Sequence, residues 1–262
     1  MSRYKIATIS AAAILTVGFA MMFHEAAHVL AGKWAGGIPT LITSTEVKGN
    51  FDNLSPIGFV VLGAAGFIIN LIFLALGASG LNRKHASSEL QLIAWFFFVV
   101  NGMIVTTAMF SESLVGFGDW MTILNPFPNT TILRVVIVIL GTLGLIFMVR
   151  RSGTLLAKII PPGESIQRKA EARRIVLIGA VASTVLVLGG SIANPIGTTR
   201  SVLLALGAGL IPFIPAFFGT RYVSRFPSEN IELIESGGWF LYLAAGLTTI
   251  VIWFIIGPGI TL

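Results

Sequence analysis

The sequence contains no cysteine and few charged residues. Only 11% of its 262 residues are Asp, Glu, Lys or Arg, whereas a soluble domain usually carries about 25%. The absence of cysteine excludes disulfides, thiolate metal sites and cysteine nucleophiles, so any bound metal ion needs His, Asp or Glu ligands. Because 55% of the residues are hydrophobic and the mean hydropathy is +0.90, we expect most of the surface to face lipid.

The charge that is present is mostly positive, with a net charge of +6. A basic protein can bind nucleic acid, but in so apolar a chain the excess of positive charge points to anionic lipid. The predicted partners therefore include the lipid bilayer and exclude nucleic acid.

Seven stretches are long and apolar enough to cross a bilayer, which takes about 20 residues. They comprise residues 6–34, 57–81, 90–110, 131–149, 175–193, 201–219 and 238–257. The pattern predicts an all-α, polytopic transmembrane helical bundle of six to seven spans, in an integral membrane protein of the cell membrane. We expect residues 1–130 to form the functional core, and residues 131–262 to add accessory helices joined by a long basic loop, 150–174.

One connecting segment has the composition of a strand. Residues 40–47 are β-prone and end at Lys48-Gly49-Asn50, which predicts a short hairpin or re-entrant strand after the first span. Such a segment can offer a free edge to an extended peptide by β-augmentation. A plain loop at the membrane surface is the alternative.

The basic residues divide unequally between the two sides of the predicted bundle. When the loops are assigned alternately to two faces, thirteen of the 17 Lys and Arg residues lie on the face of the N-terminus. The positive-inside rule places that face in the cytoplasm. The far end of the first span and the C-terminus are then predicted to lie outside.

The first span contains the stretch His24-Glu25-Ala26-Ala27-His28. Residues four apart share one helix face, so His24 and His28 can bind one metal ion while Glu25 acts as general base. Charged groups are costly inside a membrane and usually serve a function there. The motif predicts a Zn²⁺ site. A structural hydrogen-bonded cluster or a proton relay are the alternatives.

A zinc ion held by two histidines needs a third protein ligand. The acidic residues expected on the same membrane face are Glu46, Asp52, Glu112 and Asp119. Asp119 is the predicted ligand, because the flanking Gly116 and Gly118 let the backbone approach closely. Glu112 is the second candidate, and a site completed only by a hydroxyl or water is the third. An Asp at this position can also cap a helix.

Asn70 lies in the middle of the second span, at a depth similar to that of His24. An Asn in lipid usually bridges helices by hydrogen bonds. At this depth it can instead donate to a developing oxyanion, and both roles stay open.

Taken in order, these residues resemble the site-2 protease family of intramembrane zinc metalloproteases. His24, Glu25 and His28 match its ligand-base-ligand motif, and Gly66 with Asn70 matches its Gly-x-x-x-Asn element. Asp119 resembles the Asp of its third-ligand motif. The chain departs from the pattern at Phe67, where a Pro is common, and at Trp120, where a Gly is usual. It also departs at Asn101, which lies 18 residues before Asp119 with no Pro between them. The resemblance covers about residues 6–124.

The resemblance implies a zinc metalloendopeptidase, a hydrolase that cuts a transmembrane segment of another protein. In this family the zinc site lies nearer the cytosol, whereas the charges of this chain place the end of the first span outside. Two other functions stay open: a proton-coupled transporter that uses the same polar cluster, and a catalytically silent membrane scaffold.

Overall fold

The computed structural model describes residues 5–83, 86–192, 194–195, 206–207, 209–226 and 239–262. The helices are α1 (Ile6–Trp34), α2 (Pro56–Leu81), α3 (Ser88–Val115), α4 (Asp119–Leu124), α5 (Thr130–Ile159), α6 (Ser165–Ile192), α7 (Phe213–Gly219) and α8 (Trp239–Ile250). A 3₁₀ turn, Thr220–Arg225, follows α7, and a π-helical segment, Val251–Ile256, extends α8. Six helices within the described ranges are long and apolar enough to cross a membrane. The predicted all-α membrane bundle is confirmed.

Capping residues define where two of the spans begin. The Ser55 hydroxyl accepts the Gly58 backbone N–H at the start of α2, where Pro56 occupies the first helical position. The Ser87 hydroxyl accepts the Leu90 N–H at the start of α3 in the same way. Each cap satisfies a backbone donor that the helix itself leaves without a partner.

The helix that carries the histidine pair lies at the centre of the bundle. α1 packs against α2, α3, α6 and α8, and its small residues Ala11, Ala12 and Ala13 are buried. At Gly18 a Cβ would overlap Thr248 of α8. Small residues of this kind let membrane helices approach closely. The predicted division at residue 130 does not separate the helices, because both segments contribute to one hydrophobic core.

The predicted span 201–219 is described only in part, since residues 201–205 and 208 lie outside the described residues. Before it, Pro195 packs near Gly259 at the C-terminal end of the chain. Within it, Gly209 lies against Thr184 of α6, and Gly219 lies against Gly153 near the end of α5. The described residues of this stretch therefore pack against α6 and against the end of α5.

The predicted hairpin after the first span is confirmed, with different strand limits. β1 (Ile38–Ile42) pairs antiparallel with β2 (Val47–Asn50), so residues 40–47 contain the turn as well as strand. Thr43 and Ser44 in that turn are fully buried, and Ser44 lies beside Gly190 of α6. The hairpin is re-entrant: its polar tip inserts among the helices.

The prediction that residues 40–47 offer a free edge is wrong for β1. A third strand, β3 (Ile260–Thr261), pairs with Leu41 and Ile42 on the side opposite β2, which gives the order β2-β1-β3. The Leu262 N–H donates to the Thr40 carbonyl at 3.0 Å and extends this pairing. The C-terminus of the chain therefore covers the edge that β1 would otherwise expose.

The prediction that residues 150–174 form a long basic loop is also wrong, because the loop is much shorter. α5 continues to Ile159 and α6 begins at Ser165, so only residues 160–164 connect them. Buried Arg168 donates to the carbonyls of Ala157 and Phe226, at 2.7 Å each, and ties the two helices to the 3₁₀ turn. Arg168 thereby satisfies the Ala157 carbonyl, which lies near the C-terminal end of α5.

The bundle has two chemically different ends. We call the end with β1, β2 and the C-terminus the hairpin face, and the end with Lys5, Arg150 and Arg221 the basic face. On the hairpin face the described basic residues are Lys33, Lys48 and Arg134. On the basic face they are Lys5, Arg83, Arg150, Arg151, Lys158, Arg168, Lys169, Arg173, Arg174, Arg221 and Arg225. Arg3, Lys84 and Arg200 lie outside the described residues.

Because the chain has no cysteine, single cysteines can report which side each face occupies. We expect a membrane-impermeant maleimide to label K48C on intact cells, and to label R83C only after permeabilisation. The physical reason is the concentration of positive charge on the basic face. Labelling of R83C on intact cells would contradict this orientation, and labelling of both from one side would contradict the two-faced architecture.

Candidate metal centre

His24 and His28 present their imidazoles side by side on one face of α1. Their Nε2 atoms lie 3.1 Å apart. The side chains are largely buried, with exposed fractions of 15% for His24 and 8% for His28. The i, i+4 spacing therefore brings the two rings together as the motif predicts.

Asp119, the first residue of α4, completes a group of three. Its Oδ2 atom lies 3.1 Å from the Nε2 atom of His24 and 3.1 Å from that of His28. Within the described part of the chain, these three residues form a cluster that can hold a metal ion. Partial burial alone would raise the pKa of Asp119, but hydrogen bonds to His24 and His28 hold it well below its usual range. The carboxylate is therefore ionised at neutral pH.

The distances within the cluster suit a small tetrahedral ion. The three donor atoms form a triangle with sides of 3.1 Å. Two ligands of a zinc ion with bonds of about 2.0 Å lie about 3.3 Å apart in tetrahedral geometry. The donors present in this chain therefore fit such an ion.

The second nitrogen of His28 shows which tautomer the ring adopts. Its Nδ1 atom lies 2.7 Å from the Leu62 carbonyl of α2. A carbonyl can only accept, so Nδ1 carries the proton in the neutral ring. The lone pair is then on Nε2, which faces the cluster as a metal ligand requires.

Asn70 contacts the second ring nitrogen of His24, as the Leu62 carbonyl contacts that of His28. Its side-chain amide lies 3.1 Å from the Nδ1 atom of His24, with the NH₂ group towards the ring. The buried Oδ1 atom has no partner among the described residues. When the Asn70 amide is rotated by 180°, its Oδ1 atom accepts a hydrogen bond from the Nδ1–H of His24. The lone pair of that ring is then on Nε2, where it can bind a metal ion. Asn70 thus bridges α2 and α1, as one predicted role requires, and the oxyanion role stays a prediction.

Two glycines of α2 make room for the cluster. A Cβ on Gly66 would overlap the imidazole of His24, and a Cβ on Gly63 would lie 2.6 Å from the Asp119 carbonyl oxygen. Gly66 and Asn70, one helical turn apart, therefore act on the same ring. The Gly-x-x-x-Asn spacing has a direct steric and hydrogen-bonding reason.

Glu112 supports α4 rather than joining the cluster. Its Oε2 atom accepts the Trp120 backbone N–H at 3.0 Å. The chain reverses between α3 and α4 at Gly116 and Gly118, whose φ angles of 89° and 97° favour glycine. The N-cap residue of α4 is Gly118, so Asp119 does not occupy the capping position. Glu112 is the second predicted candidate for the third ligand, but in this structure it does not join the cluster. Its carboxylate instead accepts a hydrogen bond at the start of α4, the helix that carries Asp119.

Glu25 is buried next to His24 on α1, with 7% of its surface exposed. Glu46 and Asp52, the other acidic residues of this face, are not members of the three-residue cluster.

Two of the residues that depart from the site-2 protease pattern, Phe67 and Trp120, contact each other. The rings of Phe67 and Trp120 stack, with centroids 5.1 Å apart and planes 28° apart. Phe67 also lies edge-on to His24 at 6.0 Å. Sequence reasoning noted both departures separately and missed their contact. It also missed the Leu62 carbonyl, for which the residue type gives no signal.

Comparison of the chain with known protein families, with curated proteins and with solved structures finds no match in any of the three. The resemblance to site-2 proteases therefore remains a prediction that rests on the residues quoted above.

Replacing Gly66 with Ala tests the packing around His24. We expect metal affinity to fall by about 10-fold to 100-fold, the usual effect of disturbing the groups that orient a ligand. Elemental analysis after dialysis against a zinc buffer measures this. Gly246→Ala is the matched control, because a Cβ there meets nothing within 4 Å. Unchanged metal affinity in the Gly66 variant would contradict the assigned position of His24.

Proposed function

We propose that this protein is an intramembrane zinc metalloprotease that hydrolyses peptide bonds in or near transmembrane segments of other membrane proteins. The observation that carries the proposal is the convergence of two imidazole nitrogens and one carboxylate oxygen at 3.1 Å, beside a buried Glu, inside an apolar bundle. Polar groups of this kind are rarely placed in a membrane without a function.

Zinc is the proposed metal because of the donor set. Two histidines and one carboxylate, with a fourth position left to water or substrate, are the usual ligands of catalytic zinc. When bound, zinc supplies Lewis acidity, which polarises a carbonyl and makes water more acidic. His24, His28 and Asp119 would hold the ion, and Asn70 and the Leu62 carbonyl would fix the orientation of the two rings.

Glu25 is the proposed general base. It follows His24 directly in the helix, and its burial shields it from bulk water. In the proposed reaction Glu25 takes a proton from the attacking water and then gives it to the leaving amine.

The substrate segment has to be extended before it can be cut, since a helical peptide bond is shielded by its own hydrogen bonds. β-Augmentation would supply that extension. β1 is paired on both sides, so the proposed docking edge is the outer edge of β2, where Lys48, Gly49 and Asn50 are exposed.

We further propose that the centre opens towards the outside of the cell membrane. The metal ligands lie towards the hairpin face, and the positive-inside rule assigns the opposite, basic face to the cytoplasm. This orientation differs from that of the site-2 proteases, so the expected cut lies near the outer boundary of the substrate's span.

Replacing Glu25 with Gln separates metal binding from catalysis. We expect E25Q to retain one zinc per chain, because the three ligands are unchanged, and to lose about 10²-fold to 10⁴-fold in cleavage rate with the proton carrier. Zinc is measured by elemental analysis. Cleavage is measured on fluorescent casein in detergent, an unstructured chain whose peptide bonds are accessible, and then on co-reconstituted single-span proteins.

Two further variants serve as controls for this experiment. H28A is expected to lose both zinc and cleavage, whereas D52N, which changes an exposed carboxylate of the same face, is expected to lose neither. Cleavage by E25Q at the wild-type rate would contradict the proposal. A wild-type protein without zinc would favour the proton-coupled transporter or the silent scaffold instead.

A further inference from the structure

A groove at the basic face lies far from the metal centre and has no part in the proposed reaction. It runs between α5 and α7 and has a volume of about 360 Å³. Its apolar walls include Leu145, Ile146, Ile214 and Phe218. Its polar residues, Arg150, Arg221 and Tyr222, follow the apolar ones along both segments and so lie together at one end.

The polar end of the groove concentrates positive charge around one hydroxyl. Arg221 donates to the Tyr222 hydroxyl at 3.0 Å, and the guanidinium groups of Arg221 and Arg225 lie 4.9 Å and 5.2 Å from the centre of its ring. Arg150 lines the same groove as Tyr222. Among the described residues, no carboxylate forms an ion pair with Arg150, Arg221 or Arg225.

Arg168 of the same face is buried and donates to two backbone carbonyls. Arg150, Arg221 and Arg225, in contrast, are exposed at the surface. Their guanidinium groups are therefore available to an anion from outside the protein.

The depth of the groove corresponds to the boundary between hydrocarbon and headgroups. Arg134 and Arg150 bound the uncharged run of α5 and lie 16 residues apart. At 1.5 Å per residue this distance is about 24 Å, so the two arginines lie near the boundaries of a hydrocarbon core of about 30 Å, and their long side chains reach the headgroups. The apolar walls thus lie within the acyl region and the arginines at the level of lipid phosphates.

We propose that this groove is a binding site for one anionic phospholipid. An acyl chain lies along Ile146, Ile214 and Phe218, and the phosphate contacts Arg150 and Arg221 beside the Tyr222 hydroxyl. Charge complementarity selects this occupant, because basic pockets between membrane helices favour anionic headgroups. The proposal is independent of the protease assignment.

The test compares two lipids that differ only in headgroup. The detergent-purified protein is titrated with phosphatidylglycerol and with phosphatidylcholine of identical acyl chains, and bound lipid is counted by native mass spectrometry. We expect phosphatidylglycerol to bind about tenfold tighter. R150Q/R221Q should abolish this preference, and Y222F, which keeps the ring, should reduce it.

R151Q/K169Q is the matched control, since it removes two charges from the same face without altering the groove lining. It should keep the preference. Equal binding of the two lipids by the wild-type protein would overturn the proposal, and this comparison does not depend on any variant folding. An equal loss in the control would also overturn it, because general surface charge would then explain the selectivity. Glycerol phosphate that displaced phosphatidylglycerol at equal concentration would also overturn the proposal, because the apolar walls of the groove would then contribute nothing to binding.

Discussion

Polar groups buried in a hydrocarbon environment need partners, and the partners of the α1 histidines organise the surrounding structure. Neither ring can be left unsatisfied without a large cost in free energy. The partners come from two other elements: the Asp119 carboxylate from α4, and the Asn70 amide and Leu62 carbonyl from α2. The positions of α2 and α4 relative to α1 therefore follow from the hydrogen-bonding requirements of the His24 and His28 side chains.

The close approach of α2 to α1 and the contacts that support α4 serve the same two histidines. α2 can reach the histidines because Gly63 and Gly66 leave space where a side chain would collide with Asp119 or His24. Two contacts fix the position of α4: Glu112 accepts a hydrogen bond from the Trp120 backbone N–H, and the Trp120 ring stacks on Phe67 of α2. The proposed hydrolysis requires side chains that are oriented and supported in this way.

Much of this arrangement can be predicted from local patterns. The limits of α1, residues 6–34, follow from one apolar run with polar ends, and the pairing of His24 with His28 follows from helical periodicity. Asp119 is indicated by the flanking glycines. The helix ends after Arg150 and before Arg174 are misjudged, because charge marks where hydrocarbon stops and a helix can continue past that point. The Phe67–Trp120 contact, the role of Glu112 and the pairing of β3 with β1 depend on long-range packing that no local pattern encodes.

X-ray absorption at the zinc edge, on the purified wild-type protein, tests the central claim most directly. The structure leads us to expect one zinc per chain with two imidazole nitrogens and oxygen donors at about 2.0 Å. The imidazole signal should be lost together with the metal in D119A. A wild-type protein that binds no zinc, or a spectrum unchanged in D119A, would contradict the assignment of His24, His28 and Asp119 as a metal centre.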